Sequence, residues 1–483
     1  MVFSSTIFLC VFLPVVLLLY YAAPGIHLKN AVLLLSSLFF YAWGEPKYII
    51  LMTVSILGNY LFGLGIHARR SKEKKARALL VFSVLFNLGT LFYFKYFTFA
   101  AGVLSSVLSK EIEVGNIALP IGISFYTFQG MSYVIDVYRQ DMSSPDGVMV
   151  QKNPAKLGLY ISMFPQLIAG PIIRYSDIRS YLSERRSTFA KFSEGAEIFI
   201  RGLAKKVIFA NILGNVATQI METNAKMISA PQAWLGAFCY SLQIFYDFCG
   251  YSEMAIGLGK MFGFEFMKNF NFPYISRSVT EFWRRWHISL SQWFRDYLYI
   301  PLGGNRKGNV YFHLFIVFLA TGIWHGADWG FILWGMWHGA FMLIERVLKK
   351  RGISPRLPKP VSGGLGWLYT MFVVMLGWVL FRIVDVPDTV AYLKVMFGIS
   401  HADFVRYGIR WYLNDRTLTV LVFATLFCFP WREVLFARFP AARRFSEDTR
   451  VVIVRRVCLL LLLVLCFLLI TNSTYNPFIY FRF

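Results

Sequence analysis

Charge is scarce in this chain. Asp and Glu number 26 in 483 residues, and charged residues of both signs make up 16%, against 57% hydrophobic. Such a composition leaves no polar surface for a separate soluble domain and places the chain among membrane proteins. Cysteine is scarce too: Cys10, Cys239, Cys249, Cys428, Cys458 and Cys466 are all there are. They sit in apolar or aromatic surroundings without paired ligand spacing, and read as small core or lipid-facing residues. No HxxxH or HxxH pair exists and no carboxylate has a familiar ligand spacing, so no metal site is expected. GLGK at 257–260 lacks the earlier glycine of a phosphate loop and has Met261 where Ser or Thr would hold magnesium. It reads instead as close helix packing through small residues. GISFYTFQG carries a serine without the setting of a strained nucleophile elbow. No internal repeat is visible, which weakens a reading as an inverted-repeat transporter.

What the chain has in abundance is apolar runs, among them residues 2–23, 48–66, 79–94, 365–381 and 457–471, several long enough to cross a hydrocarbon layer. They predict an all-α polytopic membrane protein, a single integral domain with about ten to twelve crossing or re-entrant helices. Residues 1–117 read as N-terminal spans, 118–348 as the core and 349–483 as C-terminal spans. In the core, Gly, Pro, Ser and charge interrupt the aromatic runs. Irregular backbone at membrane depth survives only where protein or a watery cavity satisfies it, so broken and tilted helices around a central tunnel are expected there.

The formal charge of +23 raises nucleic acid as a partner. The basic residues, however, gather in short loops beside apolar runs: 67–78, 349–359 and 431–456. That is the distribution of the positive-inside rule, with membrane lipids as the surroundings and no nucleic-acid groove. With those loops cytoplasmic, three spans before Arg69 put the N-terminus outside, and the last span puts the C-terminus there too. The first apolar run has no basic residue ahead of it and makes a poor cleavable signal peptide.

Seven histidines remain to be placed. His27, His67 and His401 fall in expected loops, and His313 beside GGNRKGN suits a structural role at the interface. His287, His325 and His338 stand in aromatic, apolar context, where an imidazole is costly without a partner or a cavity. The bland reading of each is a ring that ties two helices through a carbonyl. His325 stands out in GIWHGADWG: Gly326 removes bulk beside the ring, Trp324 and Trp329 are placed to wall a narrow passage, and Asp328 lies three residues on, within helical reach. His338 repeats the Trp-His-Gly pattern thirteen residues later. On one unbroken helix the two rings would face different ways, so they converge only if the chain breaks, at Gly330 or within ADWG. His287 lies in EFWRRWHISLSQWFRDYLYIPLGGNRKG, an interfacial passage. Its Arg285, Arg295, Arg306 and Lys307, with the amides of GGN, are candidates to gather phosphates of a cytosolic donor.

LPIGISFYTFQGMSYVIDVYR, FPQLIAGPIIRY, YDFCGYSEMAIGLGKMFGF, NFNFPYISRSVTEFWRRWHISLSQWFRDYLYIPLGGNR and GIWHGADWGFILWGMWHG together resemble the membrane-bound O-acyltransferase family. The likeness is strongest to the branch that includes the membrane subunit of bacterial alginate O-acetylation. It runs from MVFSSTIFLCVFLPV to about residue 345. Cys249 departs from the serine common in relatives. The resemblance implies an intramembrane, histidine-dependent acyltransferase of the bacterial inner membrane, with a tunnel open to both faces. The family's principal catalytic histidine maps onto His325 and the second onto His287. It also implies acetyl transfer to an exported polysaccharide with the help of an SGNH-hydrolase-like periplasmic transferase or export complex.

The expected chemistry needs no resident cofactor. Acetyl-CoA is the simplest donor, His325 the general base on the attacking hydroxyl, and His287 the group that hydrogen-bonds the thioester carbonyl oxygen or orients the thioester. Peptidoglycan, cellulose or teichoic acid are alternative acceptors. A channel or transporter for a small anion or lipid-linked sugar, or an export scaffold, is the competing class.

Overall fold

The computed structural model describes residues 1–115, 117–139, 149–168, 170–353 and 359–472, and among these every regular element is a helix. Helices are what a bilayer demands, because each satisfies its own backbone polar groups. Six are long and apolar enough to cross: Gly25–Gly44, Ile49–Ala68, Glu73–Leu108, Trp329–Lys350, Val361–Arg382 and Thr449–Thr471. The pair Asp415–Leu426 and Trp431–Arg438, bent by 48°, makes a seventh if it is one broken span. Phe8–Ala22 and Val310–His325 are apolar but shorter. Three helices therefore precede Arg69. Within the basic run 349–359, residues 354–358 lie outside the described residues.

The chain gathers into two compact units. The first comprises Met1–Phe199 with Met254–Met267. Its helices meet through a phenylalanine cluster that includes Phe8, Phe12, Phe40 and Phe164, and through small and amide residues. Asn59 and Asn87 exchange side-chain amide hydrogen bonds (3.1 and 2.8 Å). A Cβ at Gly130 would lie 2.6 Å from Asn59 Nδ2, and one at Gly63 would strike the Tyr133 ring. This is the usual means of holding membrane helices together, since lipid tails are as apolar as the helices themselves. GLGK does the same: a Cβ at Gly257 would be 2.5 Å from the Gly195 carbonyl oxygen, and one at Gly195 would be 2.6 Å from that of Gly257.

The second unit comprises Ile200–Glu253 with Lys268–Phe483. It buries a Lys206–Asp247 ion pair at 2.7 Å and holds four helices that matter for the site: α1 (Val279–Arg285), α2 (Ile288–Phe294), α3 (Val310–His325) and α4 (Trp329–Lys350). Helix α1 is capped twice. Ser278 Oγ accepts the Glu281 amide (3.0 Å) while Glu281 reaches back to the Arg277 amide (2.9 Å), a close variant of a capping box. Glu345, on α4, accepts the Val279 and Thr280 amides and the Thr280 hydroxyl at 2.6 to 2.9 Å. A carboxylate at a helix N-terminus is favoured by both hydrogen bonds and dipole, so Glu345 pins α1 against α4.

Helix α3 starts where Asn309 Oδ1 accepts the Tyr311 and Phe312 amides. At 1.5 Å per residue its sixteen residues rise about 24 Å, less than the roughly 30 Å of a hydrocarbon core, and the last of them is His325. Helices α3 and α4 pack backbone to backbone: a Cβ at Gly322 would sit 2.5 Å from the Phe331 carbonyl oxygen, and one at Gly335 would sit 2.5 Å from that of Phe318.

Candidate active site

The chain does break between the two Trp-His-Gly repeats, and the break is at 326–328. Helix α3 ends at His325, Gly326 is extended, and α4 begins at Trp329. His325 and His338 thereby come to the same ring: Trp334 lies 5.0 Å from His325 and 5.4 Å from His338, centroid to centroid. His287 joins through Trp324, which lies 6.3 Å from it and 4.9 Å from His325. Three histidines distant in sequence thus form one ladder, His287, Trp324, His325, Trp334 and His338. All three are buried, His338 completely.

The ladder is closed by further rings. Phe248, from the helix Ala230–Met261, lies edge-on to His287 at 4.6 Å, Phe381 lies 5.1 Å from His325, and Trp283 lies 5.1 Å from His338. Neither ring nitrogen of His338 has a hydrogen-bond partner. Its place depends on Gly377, where a Cβ would come 2.5 Å from His338 Nε2.

His287 is held in the left-handed backbone region, φ 44°, at the junction of α1 and α2. A side chain there costs backbone strain of the kind that persists at functional sites. Its Nδ1 meets Asn269 Oδ1 at 3.2 Å, and the same oxygen accepts the Ser289 amide at 3.1 Å. A backbone N–H can only donate, so Asn269 presents its oxygen and His287 Nδ1 carries the proton. In the neutral ring Nε2, which has no protein partner, is then a lone pair. Of the two roles expected of His287, this tautomer suits orienting the thioester by accepting a hydrogen bond more than donating one to its carbonyl oxygen. Replacing Asn269 with Ala should release the tautomer and lower acyl transfer by about tenfold to a hundredfold. The loss should appear in kcat, with KM for the donor little changed.

Other expected site residues fall differently. Asp328 is not on the helix of His325: it sits beyond the break in extended conformation, exposed, before α4. Partial desolvation and then the charge of Asp385 raise its carboxyl above the usual range, so its electrostatic neighbour is an acid. Gly326 is small because the Phe331 ring fills the space beside it, where a Cβ would be 2.2 Å from ring carbons. That space is not left for a ligand. Trp324 is enclosed, 4% exposed, whereas Trp329 is 52% exposed and does not share that enclosure. His313 has the structural part expected of it, with Nδ1 3.0 Å from the Gly304 carbonyl oxygen across the GGNRKG turn. His27 and His67 lie in helices rather than loops, and His401 is exposed between helices.

A cavity of about 1120 Å³ opens beside the ladder, lined by α1, α2, α3 and α4. Its rim carries Arg277, Arg284, Arg295, Arg346, Lys349 and Lys350, and its acids are Glu281 and Glu345. Both acids are engaged, Glu281 with Arg285 and Glu345 with the α1 amides, so positive charge is in surplus. The inner wall is apolar: Trp283, Leu290, Phe294, Val317 and Phe318. Of the four basic residues expected to hold a donor, Arg295 alone lines this cavity. Arg285 bonds Glu281 and the Asn271 carbonyl, and Arg306 and Lys307 are exposed on the turn. The Gly303 and Gly304 amides are taken by the Ile300 and Tyr299 carbonyls, because the turn must close on itself. Arg346 adjoins the basic run 349–359, which in the sequence is a topology signal, so nothing in the sequence marks it as a site residue. Among the described residues no three His, Cys, Asp or Glu gather as a metal site.

The sequence profile of MBOAT, the membrane-bound O-acyltransferase family, matches residues 39–381. The chain is 39% identical to the "Probable alginate O-acetylase AlgI" of Pseudomonas putida, over 100% of both chains. It is 34% identical to the peptidoglycan O-acetyltransferase of Helicobacter pylori, covering 83% of this chain and 80% of that one. With the teichoic acid D-alanyltransferase of Bacillus subtilis it shares 30% identity over 49% of this chain and 61% of that one.

Proposed function

The chain belongs to the membrane-bound O-acyltransferase family and is an O-acyltransferase, and from that premise we propose that it takes an acetyl group from a cytosolic acyl thioester and passes it toward an exported polysaccharide. Relatives named for alginate, peptidoglycan and teichoic acid support acyl transfer to polymers of the cell envelope, and the full-length likeness favours an alginate-type acceptor. The observation that carries the reading is the pairing of the basic-rimmed cavity with the buried histidine ladder, which meet at Trp283.

Acetyl-CoA suits both ends of that cavity. Its phosphates match the guanidinium rim, which binds them bidentately, and its acyl arm matches the apolar inner wall. His325 acts as general base on the acceptor hydroxyl, whose pKa is far above neutrality. His287, with its lone pair at Nε2, accepts from an amide N–H of the donor's pantetheine arm and so orients the thioester. The proton leaves with the thiolate of the donor, while the oxygen–carbon bond forms and the carbon–sulfur bond breaks. The aromatic rings around the ladder keep water from the thioester. A polymer is too bulky for such a passage, so the acetyl group goes to a periplasmic partner or small carrier before it reaches sugar hydroxyls. In this reading the basic loops face the cytoplasm of a bacterial inner membrane and both termini lie outside.

The test is release of CoA from acetyl-CoA by detergent-solubilised protein. Reversing two rim charges, Arg284→Glu with Arg346→Glu, should raise KM for acetyl-CoA by tenfold or more and leave kcat within about threefold, the mark of lost uniform binding. Absence of CoA release would overturn acetyl-CoA as the donor.

A further inference from the structure

Trp283 belongs both to the wall of the basic cavity and to the surroundings of the histidine ladder. One side of its ring lines the cavity, and the ring also meets His338 at 5.1 Å and Trp334 at 5.6 Å, edge-on to both. On the α3 side that wall is fixed by backbone packing. Phe318 and Thr321 belong to α3, whose backbone is jammed against α4 at Gly322 and Gly335, and a Cβ at Gly339 would already be 3.0 Å from Phe318 Cβ. Between the cavity and His338 stands a side chain, the Trp283 indole.

That indole is also unanchored. Trp337 and Trp367 are tied by their ring N–H, to the Val373 carbonyl at 2.9 Å and the Tyr274 carbonyl at 2.8 Å, whereas that of Trp334, in contact with Trp283, is not. Trp283 Nε1 is buried without a hydrogen-bond partner. Turning the ring aside breaks no hydrogen bond, whereas turning Trp337 or Trp367 breaks one of them. Behind it waits His338, whose two ring nitrogens have no protein partner either, so the space uncovered presents a polar group that a carbonyl or water would satisfy.

We propose that Trp283 is the gate between the thioester cavity and the histidine ladder and, through the volume of its ring, the residue that limits transfer to short acyl groups. The inference rests on the reading that the cavity receives an acyl thioester. When the indole turns, the acyl group passes beside His338 toward Trp334 and His325. The swung ring still occupies part of the passage, which leaves room for two carbons and excludes longer chains. Differences of one methylene in such a pocket change selection by roughly tenfold to two-hundredfold.

The experiment compares CoA release from acetyl-CoA and hexanoyl-CoA by the full-length protein and by Trp283→Phe and Trp283→Ala. The hexanoyl-to-acetyl ratio of kcat/KM should rise at least tenfold in Trp283→Ala and by a smaller factor in Trp283→Phe, following ring size. A merely structural role would depress both thioesters alike and leave the ratio unmoved. Should Trp283→Ala not yield monodisperse protein, Trp283→Phe still decides. A ratio within twofold of the unaltered protein, in variants that fold and release CoA, overturns the gate while the donor reading stands. No CoA release from either thioester by the unaltered protein overturns both.

Discussion

Replacement of His325 with alanine is expected to lower acyl transfer by at least about a hundredfold, since a positioned general base contributes 10²–10⁴. His325 ends α3, enclosed by Trp324, Trp334 and Phe381 at 4.9 to 5.1 Å, and no other described histidine occupies that place. The imidazole can act there because the rings exclude bulk water, and it loses little packing when truncated because those rings are braced by others. Trp334 lies 5.0 Å and Trp378 5.7 Å from Phe381. CoA release and acyl transfer should therefore collapse together while the variant still inserts and elutes as a folded species. A His325→Ala protein of normal yield that transfers acetyl at more than a tenth of the usual rate would remove His325 from the chemistry.

Exchange of Gly335 for alanine should cost more stability than any single exposed substitution in the chain. The added Cβ would lie 2.5 Å from the Phe318 carbonyl oxygen and 3.1 Å from Gly322 Cα, both backbone atoms that move only if the helices separate. Overpacking of that kind costs about 1–3 kcal/mol or more. It would also shift Trp334 relative to His325, so activity should fall with stability. The same exchange at Gly364 provides the control: nothing lies within 4 Å of a Cβ there, and alanine should be neutral or slightly stabilising through helix propensity. Thermal melts of the two purified variants check the pair. Equal melting temperatures would mean that α3 and α4 are not held as closely as their glycines require.

Much of the architecture is legible in the sequence because bilayer burial writes itself into composition. Long apolar runs become helices with little choice, and Thr449–Thr471, only 6% buried, shows that hydropathy alone identifies a span that hardly touches protein. The expected count of ten to twelve crossing or re-entrant segments includes pieces the structure keeps short, such as Phe8–Ala22 and Val310–His325, since an apolar run does not report where a helix stops. The histidines were legible as well, as polar groups in the wrong solvent. Their partners were not. Asp328 looked near His325 because helical spacing was carried through a break, and Trp329 looked equivalent to Trp324 because sequence does not show which ring is enclosed. Arg346 and Trp283 drew no attention as site residues because each belongs to a pattern that explains it otherwise, a basic helix end and an interfacial aromatic.

By itself the sequence determined the solvent of this protein, its helical class and the residue types able to do acyl-transfer chemistry, all of which follow from local composition and spacing. Only the tertiary structure decided that His287, His325 and His338 share one ladder, that Asn269 fixes the proton on His287, and that the basic rim lies at Arg284, Arg295 and Arg346. Those are facts of convergence. They depend on a chain break at 326–328 and on glycines that let α3 and α4 touch, and neither the angle of a break nor the partner across a helix contact is encoded in the residues beside it.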